Sequence, residues 1–110
     1  MHSNPSTIIV VGASTSPARA WLRSRFPRAG QLGSTLILCR RGIEIDAILW
    51  AEGLRQAARR AGYVLSIGVC ERTYARGLDE TLADAARAFR QARDLGGDYT
   101  IAHQTLIQAA

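Results

Sequence analysis

The sequence predicts an α/β fold of three layers with flavodoxin-like layering. Helices would cover both faces of a mainly parallel, open sheet of about four to five strands. Continuous apolar runs alternate along the chain with segments whose apolar residues recur at helical spacing. Of the 110 residues, 47% are hydrophobic and 21% are charged, which is typical of a globular domain. Because right-handed crossovers join such strands, we expect one domain over residues 1–110, with residues 1–6 flexible.

The first predicted strand and helix lie within the first 27 residues. Residues 7–11 form a β-branched run that is closed by Gly12, and this run predicts a buried strand. Ser16 is a candidate N-cap, and Pro17 suits the first helical position. Pro27 ends this helix early.

The middle of the chain predicts two more strands around a long helix. After a loop over residues 30–34, the apolar run 35–39 predicts a strand that is covered on both faces. Residues 46–61 carry an apolar stripe at helical spacing, with Gly62 as the C-terminal stop. Residues 63–70 predict the third strand.

The last third predicts a helix, a short strand and a terminal helix. The buried stripe of the first helix consists of Leu82, Ala85, Ala86, Phe89 and Ala92. Residues 99–101 predict a short strand, and residues 102–109 predict a terminal helix.

The formal net charge is +5, and all fourteen basic residues are arginines. The absence of lysine excludes a Schiff-base lysine and a P-loop lysine. Because the arginines are scattered among acidic residues, direct nucleic-acid binding is not expected, and a face for an acidic protein partner is at least as well supported.

Two cysteines, thirty-one residues apart, do not make a disulfide framework and are too few for a zinc site. The cysteine count thus predicts no metal site. We see neither a signal peptide nor an apolar stretch long enough to span a membrane, so the expected location is the cytoplasm, where thiols stay reduced.

Four places follow the carboxyl ends of the predicted strands, where ligands gather in open parallel sheets. They are residues 12–16, residues 39–42, residues 70–76 and His103. The first only loosely resembles a phosphate-cradling turn, so a plain strand-to-helix turn is favoured. His103 is a candidate general base, although a polar surface or capping role is the more common one.

Cys70 is the strongest candidate for chemistry because it ends a strand and two arginines, Arg72 and Arg76, follow it. A thiolate needs such positive potential and some exposure to act as a nucleophile. A buried structural cysteine fits these residues equally well. Cys39, inside an apolar run, is interpreted as core, and it is also a possible redox neighbour of Cys70 if both cysteines end adjacent strands.

The stretch 36–81 resembles the DsrE/TusD family of sulfur-relay proteins, also described as DsrE/DsrF-like. The resemblance is carried by residues 36–43, the helix around Trp50, residues 62–70 and residues 75–81. The most specific part is a cysteine at a strand end followed by an arginine–glycine pair, here Cys70 with Arg76 and Gly77.

The resemblance implies the type of subunit that carries the active cysteine. Cys70 would carry sulfane sulfur as a persulfide, supported by Arg72, Arg76 and Gly77. This chemistry would need no metal and no organic cofactor. A protein sulfur donor and acceptor would be its partners, in tRNA thiolation or sulfur oxidation, within a homo- or hetero-hexamer. Two alternatives stay open: an inactive assembly or small-anion-binding module of the same fold, and a thiol redox protein that uses Cys39 and Cys70.

Overall fold

The computed structural model describes residues 5–73 and 77–103. Within them the chain forms five strands and three helices, in the order β1 (Ser6–Ala13), α1 (Ser16–Arg25), β2 (Gly30–Leu32), β3 (Thr35–Arg41), α2 (Glu44–Arg60), β4 (Leu65–Arg72), α3 (Leu78–Asp94) and β5 (Tyr99–Ala102). The terminal helix predicted over residues 102–109 lies almost entirely outside the described residues.

The strands form one sheet in the order β2-β3-β1-β4-β5. The α/β class and an open sheet of five strands are confirmed. The sheet is mixed, however, and not mainly parallel: β1 pairs antiparallel with β3 and with β4, β2 pairs antiparallel with β3, and only β4 and β5 pair in parallel.

The short strand β2 explains why the sheet is mixed. β2 and β3 form a hairpin in which Leu32 pairs with Thr35, and Gly33 in the two-residue turn has a φ of +62°. Each helix still connects strands of the same direction, as β1-α1-β2, β3-α2-β4 and β4-α3-β5. The hairpin reverses the chain once, so that β3, β4 and β5 all run opposite to β1. All three residues of β2 are exposed, so no apolar run marks this strand in the sequence.

Helices cover both faces of the sheet and complete the three layers. Ile9 and Val11 of β1 pack in one core cluster with Leu22 of α1 and Leu54 of α2. Side chains of alternate residues, such as Val10, belong to a second cluster under α3. The core is therefore divided between the two faces of the sheet.

The starts of two helices, α1 and α2, differ from the prediction. Thr15, one residue before the predicted N-cap, caps α1, and its hydroxyl accepts the backbone N–H of Ala18 at 3.4 Å. α2 begins two residues early, which places Glu44 and Asp46 in its first turn. Within residues 5–73 and 77–103, no helix has both the length and the apolar composition that a membrane crossing requires.

Candidate functional site

Because β1 runs opposite to β3, β4 and β5, the four predicted places fall into two groups at opposite edges of the sheet. β1 ends at Ala13, which pairs with Leu65 at the start of β4. The turn 12–16 therefore lies near the amino end of β4 and the β2–β3 hairpin. Residues 39–42, the end of β4 and His103 lie at the other edge.

A pocket of about 330 Å³ opens at the first edge, between the end of β1, the β2–β3 hairpin and the last turn of α3. This volume lies at the lower end of the range for small-molecule sites. Its lining includes four residues that bear a hydroxyl group, Ser14, Ser34, Thr35 and Ser66. The sequence selected only one part of this pocket, the turn 12–16.

Two arginines place positive charge in the lining of the pocket, and one of them, Arg93, also pairs with the exposed carboxylate of Asp94 at 3.5 Å. Arg19 is held at the rim, where its guanidinium donates to the carbonyl oxygen of Ala13 at 3.2 Å and to the hydroxyl of Ser16 at 3.1 Å. Arg93 comes from the last turn of α3, and its guanidinium carbon lies 5.9 Å from the ring centroid of Phe89. The lining residues within the described part of the chain include no carboxylate. The pocket therefore suits an anionic ligand.

Glycines shape the apolar wall of this pocket. A Cβ placed on Gly12 would lie 2.8 Å from the ring of Phe89, so any other residue here would require this ring to shift. Gly97 has a φ of +82°, a conformation that other residues rarely adopt, and it also lines the pocket. Phe89 itself is nearly buried.

Cys70 lies at the opposite edge of the sheet, and its side chain has no exposed surface. Its thiol donates to the carbonyl oxygen of Glu71 at 3.6 Å. Of the residues predicted to support it, Arg72 is exposed at the end of β4, and Gly77 is the N-cap residue of α3. Arg76 lies outside the described residues. The assignment of Cys70 as the reactive residue stays a prediction.

Cys39 is exposed on β3, so its interpretation as a core residue is wrong. Ile8 of β1 pairs with Cys39 on one side and with Cys70 on the other, which places the two cysteines two strands apart. Two strand spacings amount to about 10 Å, whereas a disulfide requires Cα atoms within about 7 Å. The geometry does not support the proposed redox pair.

Asp84 is the functional candidate that the sequence did not reveal. It belongs to the buried face of α3, one turn before Ala88, and it forms a buried group with Cys70 and His103. One potential ligand atom from each of the three residues lies within 4.8 Å of the other two. His103 is 9% exposed, so the structure does not support a surface role for it. In the sequence, the helical spacing of Asp84 with Ala88 and Ala92 could have indicated that Asp84 is buried. This spacing does not indicate a function.

The pairing of β4 with β5 and the close approach of α3 bring this group together. Val69 pairs with Ala102 in parallel register, which sets Cys70 and His103 next to each other on neighbouring strands. Asp84 reaches them from α3, and its Oδ2 lies 3.7 Å from Nε2 of His103. The side chain of Asp84 also accepts a hydrogen bond from Arg87 at 2.9 Å.

No protein-family model matches the chain, and no curated protein matches its sequence. Solved structures do match its fold. The GGDEF domain of DgcB from Caulobacter crescentus, in complex with c-di-GMP, is 13% identical with a TM-score of 0.75, over 91% of this chain and 76% of that one. The active GGEEF domain of a diguanylate cyclase from Vibrio cholerae is 14% identical with a TM-score of 0.75, over 91% of this chain and 83% of that one.

A third similar structure is a microbial GGDEF domain that interacts with cyclic di-GMP, at 15% identity and a TM-score of 0.71, over 90% of this chain and 77% of that one. The resemblance to sulfur-relay proteins is wrong, and so are the relay of a persulfide, the sulfur donor and acceptor and the hexamer that it implied. It rested on short segments, chiefly a cysteine after a buried strand, and such segments do not fix the direction of the strands. The fold of this chain is that of GGDEF domains.

Proposed function

We propose that this protein binds a phosphate-bearing guanine nucleotide in the pocket between β1, the β2–β3 hairpin and α3, and that it does not convert this ligand. Cyclic di-GMP is the first candidate, because two of the similar solved structures are described with it. The observation that carries the proposal is a pair of arginines, Arg19 and Arg93, in a pocket whose described lining has no carboxylate.

The side chains of the pocket match the parts of such a ligand. Guanidinium groups bind phosphate oxygens with two parallel hydrogen bonds, and they keep their charge at all physiological pH values. Ser34 on the hairpin adds a hydroxyl donor to the same lining, whereas the hydroxyl of Thr35 already donates to the carbonyl oxygen of Leu32 at 2.6 Å. Phe89 and Val64 provide apolar surface for a base. The pocket's volume suits one guanylate half of a dinucleotide, with the other half toward the solvent.

The same lining favours binding over catalysis. Phosphoryl transfer between nucleotides depends on divalent cations that bridge phosphate oxygens, and carboxylates usually hold these cations. Gly12, Ala13 and Ser14 occupy the end of β1 in this pocket, and Ser34 and Thr35 occupy the hairpin. None of these side chains is a carboxylate.

Isothermal titration of the full chain with cyclic di-GMP, and separately with GTP, tests the proposal. We expect saturable binding of at least one of the two. Arg19→Ala and Arg93→Ala should each weaken it at least about 10-fold, because a hydrogen bond to a charged group contributes about 1.5–3 kcal/mol. Arg60→Ala is the matched control, since Arg60 is an exposed arginine on α2.

Two results would contradict the proposal. The first is the absence of binding to either nucleotide by a protein whose circular dichroism shows it to be folded. The second is a nucleotide affinity of the Arg19→Ala and Arg93→Ala variants that equals the affinity of the Arg60→Ala control. Formation of cyclic di-GMP from GTP and Mg²⁺ would contradict the statement that the ligand is bound without conversion.

We also propose that the protein works in the cytoplasm. Its two cysteines lie on strands that flank β1 from opposite sides, too far apart to form a disulfide. A thiol as exposed as that of Cys39 is suited to a reducing compartment.

A further inference from the structure

We propose that Cys70, Asp84 and His103 form a binding site for one Zn²⁺ ion. Their ligand atoms, one sulfur, one carboxylate oxygen and one imidazole nitrogen, all lie within 4.8 Å of one another. These are the three donor types that zinc accepts in proteins, and a water molecule would fill the fourth position of the tetrahedron. The ligands come from β4, α3 and the residue after β5, so the site exists only in the folded chain.

The ligand distances are close to those of a coordinated ion. Zinc lies about 2.3 Å from sulfur and about 2.0–2.2 Å from nitrogen and oxygen, so neighbouring ligands of a tetrahedral site are about 3.3–3.6 Å apart. Oδ2 of Asp84 and Nε2 of His103 are 3.7 Å apart. The largest separation in the group, at most 4.8 Å, would therefore have to shrink by about 1.2–1.5 Å. Small rotations of the three side chains would supply that movement.

Burial distinguishes a metal site from a nucleophilic one. The same three residue types also occur as a nucleophile, a base and an orienting carboxylate. A nucleophile must reach its substrate, yet Cys70 is 0% exposed and the other two residues are 6–9% exposed. A metal ion needs no opening of the size of a substrate. On binding, the Cys70 thiol would lose its proton to solvent, and the thiolate and carboxylate would neutralise the ion.

The proposed zinc site is separate from the nucleotide pocket. Ser66 lines the pocket, and Cys70 lies four residues further along the same strand, about 13 Å away at the usual rise of a strand. Asp84 and Arg93 are separated by a similar length of α3, about 13 Å at the rise of an α-helix. A failure of nucleotide binding would therefore leave the zinc proposal standing.

Cobalt titration of the chelator-treated full chain, in a reducing buffer, tests the proposal. Co²⁺ replaces Zn²⁺ in such sites and reports a bound thiolate by a sulfur-to-cobalt charge-transfer absorption. The Cys39→Ala variant should be used first, because Cys70 is then the only sulfur of a cysteine in the chain. We expect one Co²⁺ per chain, the charge-transfer band, and loss of that band when one equivalent of Zn²⁺ is added.

Asp84→Asn and Cys70→Ala complete the test. Each should weaken Co²⁺ binding at least about 100-fold, the upper end of what losing an outer-shell partner costs a metal site. Zn²⁺ at 100 times its dissociation constant should raise the melting temperature of the Cys39→Ala protein by about 10 °C or more. If Cys70→Ala fails to fold, the titrations of the Cys39→Ala and Asp84→Asn variants test the zinc site without it.

Three outcomes would overturn the proposal. One is a Cys39→Ala protein that shows no charge-transfer band with excess Co²⁺. Another is a band in the unaltered protein that disappears with Cys39→Ala, which would assign it to the exposed thiol. The last is Co²⁺ binding that is as tight in Asp84→Asn as in the parent protein.

Discussion

Glu44 and Glu71 exchange a reciprocal pair of hydrogen bonds that join the start of α2 to β4. The carboxylate of Glu71 accepts the backbone N–H of Glu44 at 2.8 Å, and the carboxylate of Glu44 accepts the backbone N–H of Glu71 at 3.1 Å. The N-cap residue of α2, Ile43, makes no side-chain cap. A residue twenty-seven positions away in the sequence therefore supplies the cap of this helix.

Glu71→Ala should lower the free energy of unfolding by about 1 kcal/mol, the usual cost of removing a helix cap. Glu71→Gln keeps an oxygen acceptor and removes only the charge, so its loss should be smaller, about 0.3–1 kcal/mol, from the helix dipole. Urea denaturation of both variants measures the difference. An Ala variant as stable as the parent would show that the pair contributes nothing.

Gly68→Ala should destabilise the protein because α3 lies directly on this residue. A Cβ on Gly68 would be 2.2 Å from the backbone nitrogen of Phe89 and 2.3 Å from the carbonyl oxygen of Ala85. Backbone atoms must move to relieve this overlap, and we expect a loss of about 3 kcal/mol or more, at the upper end for overpacked cores.

Gly53→Ala is the matched control for this substitution. Gly53 lies inside α2, where an added Cβ meets nothing within 4 Å. The same chemical change should therefore stabilise the protein by up to about 1 kcal/mol, the helix propensity of alanine over glycine. Thermal denaturation should show opposite shifts for the two variants, and shifts of equal sign would refute the close packing of α3 on β4.

Arg55 and Asp98 should be energetically coupled. Arg55 donates to the carboxylate of Asp98 at 2.7 Å and to its backbone carbonyl at 3.1 Å, and this holds Asp98 at a φ of +62° before β5. A double-mutant cycle with alanine at both positions should give about 1 kcal/mol at low salt, since the side chains are 17% and 27% exposed. The coupling should decrease in about 1 M salt. Additive effects of the two substitutions would contradict it.

The pH dependence of this pair follows from Arg55. Its hydrogen bond to Glu52, and then that to Asp98, raise the pKa of Arg55 above its ordinary value, against the effect of burial. A raised folded-state pKa adds stability that is fully present below the unfolded pKa and is lost only as the pH rises through the folded one. Both values lie above the physiological range, so the coupling should be constant between about pH 6 and pH 9. A fall within that range would assign the coupling to another group.

The two cysteines should differ sharply in reactivity. A chromogenic disulfide reagent should modify Cys39 rapidly in the native protein, because Cys39 is exposed and Cys70 is buried. In denaturant, both thiols should react. The Cys39→Ala variant should lose the rapid phase and keep the slow one. Rapid modification of two thiols in the native protein would contradict the burial of Cys70.

The hairpin shows where the sequence was insufficient for predicting the fold. The runs that became β1, β3 and β4 and the stripes of α2 and α3 were predicted, because burial repeats locally with the period of each element. β2 carries no apolar pattern, and its signal was the pair Gly33-Ser34, a two-residue hairpin turn. Missing it changed the predicted direction of every later strand relative to β1.

By itself the sequence determined the α/β class and most of the strands and helices, and it placed Cys70 in a buried strand, although β4 continues for two residues beyond the predicted end at Cys70. Only the tertiary structure decided which side chains meet. It joined Arg19 and Arg93 in one pocket, and it brought Asp84 to Cys70 and His103. The physical reason is that periodicity records whether a residue is buried. Which buried residues touch depends on strand order, strand direction and the approach of α3 over Gly68, and these are set by contacts between distant parts of the chain.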